Sequence, residues 1–111
     1  MEIKVEKQNA TVTVYLKGRL DTLAAQEASK QLENLTEDAS GTILMDCTEM
    51  SYISSSGLRI FLTLRKAATE KGGKVIVRGI SNDIRSVFMM TGFLSLFEIQ
   101  EPGITSPGNV P

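Results

Sequence analysis

Three consecutive hydroxyls, Ser54, Ser55 and Ser56, followed by Gly57, are the residues of this chain best placed to do chemistry. They belong to the stretch SYISSSGLRI, Ser51 to Ile60. Before it stands a short apolar run, Ile43, Leu44 and Met45, and after it a segment with helical periodicity, Leu58, Phe61, Leu62, Leu64 and Ala68. The stretch therefore reads as a strand-to-helix junction. In open α/β sheets the loops at the carboxyl ends of strands are where ligands and partners are met. A helix N-terminus also offers free backbone N–H groups and a partial positive charge, which suit a phosphate. The plainer alternative is that one serine caps the helix and Gly57 eases the turn.

What the hydroxyls lack is a base. The chain has no histidine, so neither a Ser-His nor a Cys-His pair can form. A serine nucleophile would need a lysine or aspartate instead, and no lysine stands close in sequence to the triple serine. Cys47 is the single cysteine, which excludes an internal disulfide, fits a reducing cytoplasm and leaves no zinc cluster. Its place beside the Ile43–Asp46 run makes it a core residue rather than a nucleophile. Gly72-Gly73-Lys74 lacks the spacing and the Ser/Thr of a phosphate-binding P-loop and reads as a turn. Lys and Arg number 12 against 13 Asp and Glu, for a net charge of -1, so there is no basic excess for nucleic acid or an anionic membrane. No apolar run approaches the roughly 20 residues that span a bilayer. The N-terminal MEIKVEKQ is too polar for a signal peptide, and the expected location is cytoplasmic.

The elements that would position the serines follow from periodicity. At 111 residues, 41% of them hydrophobic, the chain suffices for one domain with one core. Ile3 and Val5, then Val12, Val14 and Leu16, alternate with polar neighbours around Lys7–Ala10, as in an antiparallel hairpin. Gly18 ends or bulges the second strand. Asp21 or Thr22 can cap a helix to about Thr36, with Ala25, Ala28, Leu32 and Leu35 on its core face. Glu37 to Gly41 is a polar break, and Ile43 to Cys47 a central strand. The helix after the serines runs to about Lys71, with Ile60, Phe61, Leu64 and Ala68 inward and Arg59, Thr63, Lys66 and Glu70 outward. Leu58 and Leu62 fall on the flank, either packed or exposed to a partner. Gly72-Gly73 closes that helix, and Val75–Val77 form a buried strand. Ser81 or Asn82 caps a third helix bearing Ile84, Val87 and Phe88 inward and Met90 on its flank, and Gly92 stops it. Leu96, Phe97 and Ile99 read as a last strand. The order is β-β-α-β-α-β-α-β, an α/β domain over residues 1–101 with a mixed sheet of about five strands and helices packed on it. Residues 102–111 hold all three prolines and read as an irregular tail.

These residues carry a resemblance over about the first hundred positions. Lys17-Gly18-Arg19-Leu20-Asp21 is similar to a G-x-L/I-D motif, and Ile43–Asp46 to an apolar strand with an acidic end. Tyr52–Leu58 is similar to an F/Y-x-D-S-S/T/A-G-L loop, and Ile80-Ser81 with Phe88, Gly92 and Phe97 to a spaced I-S…F…G-L…F pattern. In these four stretches the chain resembles the small stand-alone STAS domains, the anti-sigma factor antagonists of bacterial partner-switching systems. The resemblance implies the STAS fold and a phosphorylated serine at Ser55, with Ser54 and Ser56 as alternatives. Ser54 falls where many members have aspartate, and Asp21 on an acid near the serine. A partner-binding surface of Asp21, Ser54, Ser55, Ser56, Gly57, Leu58, Arg59 and Leu62 is implied, and no metal or cofactor. The implied partners are an ATP-dependent serine kinase that is itself the anti-sigma factor and a serine phosphatase. The dephosphorylated protein would bind the kinase and free the sigma factor, and would not be an enzyme; no residue pattern reads out an oligomeric state, and a monomer is the default expectation. The alternative is a STAS module serving as an unphosphorylated adaptor in a transport or signalling complex.

Overall fold

The computed structural model describes residues 1–38 and 41–100, with the backbone alone for 36–38. The N-terminal hairpin joins β1 (Glu2–Gln8) to β2 (Thr11–Leu20) through the two-residue turn Asn9-Ala10. Such a tight turn needs backbone with positive φ, which asparagine tolerates, and Asn9 has φ 56°. Lys7 and Gln8, expected in the turn, belong to β1. Gly18, at φ 104°, does not end β2: the pairing slips around it and the strand continues to Leu20.

Asp21 caps α1 (Thr22–Leu32), which is shorter than its periodicity suggested. The chain tightens into a 3-10 turn over Glu33–Asp38, and Leu35 still reaches the core from it. This turn takes up the start of the expected polar break, and Gly41 the end of it. A Cβ on Gly41 would collide with the Ala10 carbonyl, so glycine is needed where β3 starts beside the hairpin. β3 (Thr42–Ile53) runs well past Cys47. α2 (Ser55–Lys71), β4 (Lys74–Arg78) and α3 (Asn82–Thr91) lie close to their expected positions. The last strand does not. Phe93–Ser95 form a 3-10 turn, Leu96 is exposed, Phe97 is buried ahead of the strand, and β5, among the described residues, covers Glu98–Gln100. The boundary at residue 101 and the tail 102–111 lie outside the described residues.

The sheet order is β1-β2-β3-β4-β5, with β1 antiparallel and the other neighbours parallel. Each strand-helix-strand unit steps one strand in the same direction. Right-handed crossovers then put all three helices on one face of the sheet. Burial agrees: Val12, Val14, Leu16, Ile43, Met45, Cys47, Val75 and Val77 share one core with the helices, while Thr13, Tyr15, Leu44 and Asp46 on the other face are only half-buried. All four phenylalanines, Phe61, Phe88, Phe93 and Phe97, meet with ring centroids 5.6 to 6.3 Å apart, joining α2 to the α3 end of the core. Such pairs add about 0.5–1.5 kcal/mol each beyond the area they bury.

Candidate functional site at the carboxyl edge of the sheet

The parallel register of β2 and β3 pairs Leu20 with Ile53, so the next residues, Asp21 and Ser54, stand side by side at the same end of the sheet. The Ser54 N–H donates to the Leu20 carbonyl at 2.9 Å and ties the two turns together. Both residues are helix caps: Asp21 Oδ1 accepts from the Ala24 N–H at 2.9 Å, and Ser54 Oγ accepts from the Gly57 N–H at 3.1 Å. Of the two candidates for the first cap, Asp21 and not Thr22 does the capping. Ser81 caps α3 in the same way, accepting from Ile84 N–H at 3.2 Å.

The three serines are thereby divided. Ser54 is 8% exposed and its oxygen is engaged as a cap. Ser55, the first residue of α2, is exposed, and Ser56 is half-buried. The first intrahelical bond runs from Leu58 N–H to the Ser54 carbonyl, so the amides of Ser55 and Ser56 come before it at the open end of the helix. Gly57 lets that end settle onto the sheet: a Cβ there would lie 2.8 Å from the Leu20 side chain and 2.9 Å from Ile53.

Around Ser55 the surface is mixed apolar and cationic. Arg59 follows one helical turn later on the same side, and Leu62 two turns later; both are exposed. Leu58, expected in the docking surface, is buried, so its side chain belongs to the core. Gly57 is also buried and shapes the loop without presenting a side chain. Periodicity had missed three residues. Leu23 is 67% exposed in the first turn of α1, an apolar side chain with no core to enter. The Arg19 guanidinium lies 4.3 Å from the centre of the exposed Tyr52 ring, a cation–π contact beside the loop. Leu23 was legible as an apolar residue off the core stripe. The Arg19–Tyr52 pair rests on a register between residues far apart in sequence, which no local pattern carries.

Other chemistry is scarce. Burial, and then the Asp46 carboxylate, push the Cys47 thiol far up, so it stays protonated and inert at neutral pH. No group of residues that could hold a metal ion occurs among the described residues. Among them, too, no helix is long and apolar enough to cross a membrane.

A family model described as the STAS domain matches residues 2–102. The chain is similar to the anti-sigma-B factor antagonist of Listeria monocytogenes, 26% identical over 90% of this chain and 87% of that protein. Its fold is similar to that of the Bacillus cell fate determinant SpoIIAA in the phosphorylated form, with a TM-score of 0.71, 22% identity, and coverage of 88% of this chain and 90% of that one. It is also similar to an anti-sigma factor antagonist from Mycobacterium paratuberculosis, with a TM-score of 0.73, 19% identity, and coverage of 97% and 88%.

Proposed function

The chain belongs to the STAS-domain family, and on that premise we propose that it is an anti-sigma factor antagonist switched by phosphorylation of Ser55. Dephosphorylated, it binds a serine-kinase anti-sigma factor in the cytoplasm and releases the sigma factor. Phosphorylated by that kinase, it lets go, and a serine phosphatase resets it. It is a binding protein, not an enzyme: the kinase supplies Mg²⁺-ATP and catalysis, and this chain supplies a hydroxyl and a docking surface. The observation that carries the reading is the division of the serines. Of the three only Ser55 is exposed, at the open end of α2 and beside the turn that holds Asp21. The antagonist names borne by its relatives support the same reading.

The switch follows from charge. Phosphorylation would add about -1.5 to -2 charges at neutral pH. The helix end favours that charge by about 0.3–1 kcal/mol, while the Asp21 carboxylate opposes it. With small effects of opposite sign, the fold stays as it is and the phosphate acts at the interface. There it meets the partner's anionic nucleotide and must be desolvated against it. Each 1.4 kcal/mol lost in this way is a factor of about ten in affinity. Leu23, Tyr52 and Leu62, with Arg59, form the apolar and cationic rim that the partner covers.

The test is the intact mass of the protein recovered from its native cells, wild type beside Ser55→Ala, together with the proteins that co-purify with each. A gain of one phosphoryl group in wild type alone, with a kinase retained by Ser55→Ala, is the expected result. A gain that survives in Ser55→Ala moves the switch to Ser56. No gain under any growth condition leaves the unswitched adaptor as the function.

A further inference from the structure

The two edges of the sheet are built differently. Among the described residues β5 presents three, whereas β1 presents seven, with an unbroken register to β2 and neither a proline nor a bulge. A long regular edge carries a row of main-chain donors and acceptors pointing away from the sheet and is a template for another strand. Charged side chains usually block such an edge, and β1 has them: Glu2, Lys4 and Glu6 on the open face of the sheet. Their spacing does something else here.

We propose that β1 is a homodimer interface, in which two copies pair antiparallel about a two-fold axis through Val5 and join their sheets into one of ten strands. In this register Lys4 lies opposite Glu6 of the second copy, and Glu6 opposite Lys4. Val5, 38% exposed, meets its own counterpart on the helix face. Ile3 lies against the aliphatic stem of Lys7, and Glu2 opposite Gln8. No like charges stand directly opposite one another, and all seven residues of the strand are paired. Directly opposed residues share a face, so the neighbouring registers are two residues away. One sets Lys4 on Lys4 and Glu2 on Glu6; the other sets Glu6 on Glu6. Like charges directly opposite are destabilising. The charges therefore select one register rather than forbidding all of them. Within each strand Lys4 Nζ is already 3.2 Å from Glu6 Oε2, so pairing closes a cluster of four alternating charges. Because the axis reverses strand direction, the two serine loops lie at opposite ends of the joined sheet, and both stay open to a partner. One strand pair buries far less than a standard protein–protein interface, so the dimer is a weak, concentration-dependent one.

Sedimentation equilibrium of the full chain, from micromolar to about millimolar at low salt, tests the proposal. Dimer should accumulate with concentration in wild type. Lys4→Glu should weaken it at least tenfold, and Lys4→Glu with Glu6→Lys should restore it, since the swap rebuilds the opposed pairs. Val5→Cys should oxidise to a disulfide-linked dimer: directly opposed residues sit with Cα atoms about 4.5–5.5 Å apart, within disulfide reach, and Cys47 is buried and does not compete. Circular dichroism confirms that these surface variants fold. Wild type monomeric at millimolar concentration, a dimer indifferent to Lys4→Glu, or one weakened by it and not restored by the swap, overturns the proposal.

Discussion

Ser54 shows how one hydroxyl can settle what its neighbours do. As the cap of α2 it holds the Gly57 N–H and lies largely buried, which leaves Ser55 as the most exposed hydroxyl of the three. The resemblance set Ser54 where many STAS antagonists have aspartate. Serine and aspartate are near-equal N-caps because each offers an oxygen to the first free amides. Serine in this place thus keeps the cap and leaves out a negative charge beside Ser55. Ser54→Ala should lower stability by about 1 kcal/mol, and Ser54→Asp should keep most of it, both measured by urea unfolding. Equal losses in the two variants would mean that the cap bond contributes little. The cap role of Ser54 was legible in outline, since a hydroxyl before a helical run suggests one. Which of three adjacent hydroxyls serves was not, because that depends on the angle at which α2 leaves the sheet.

At the scale of elements, β3 and β4 are joined by more than their ladder. Asp46 and Arg78 are register partners, and the Arg78 Nη2 lies 2.6 Å from the Asp46 carboxylate on the open face. Burial alone would raise the Asp46 pKa. Bonds from Thr48 and the Arg78 guanidinium outweigh it and hold the carboxyl below its ordinary value. A carboxyl whose pKa is depressed by folding adds stability that is present above its unfolded pKa and lost as pH falls through the folded one. Wild type should therefore exceed Asp46→Asn in stability at pH 6–7, and the gap should close below about pH 4, near the ordinary aspartate value. A gap that stays constant with pH would show that the carboxylate's charge is not what is lost. The sequence carried the strand itself but not this pair, since register between parallel strands is set by crossovers. It also carried the helices better than the strands. The 3.6-residue stripe of α2 is uninterrupted, while in β3 the polar pair Thr48-Glu49 and the slipped register against β2 hide a continuous strand. Phe97 misled for a different reason: a side chain can be buried by a turn as fully as by a strand.

Across the whole molecule, the helices share one face of the sheet because every crossover steps the same way. The other face holds Leu44 and Ile76 among Thr13, Tyr15 and the Asp46–Arg78 pair. Element order and the single core followed directly from the pattern of apolar residues. The meeting of Asp21, Arg19 and Tyr52 at one end did not, because it is a product of topology. The same one-sided layering places Cys47 between sheet and helices with no exposed surface. A reagent cannot touch that sulfur while the layers are closed, and the chain has no other thiol to confuse the signal. Domains of this kind are stable by about 5–15 kcal/mol, so modification should run at least about a thousandfold slower than for a free thiol. Rapid modification of the native protein would mean that the layers part locally. Otherwise the lone sulfur is a clock for the opening of the whole chain: its labelling rate should quicken with each substitution that loosens the domain and slow whenever a partner holds it shut.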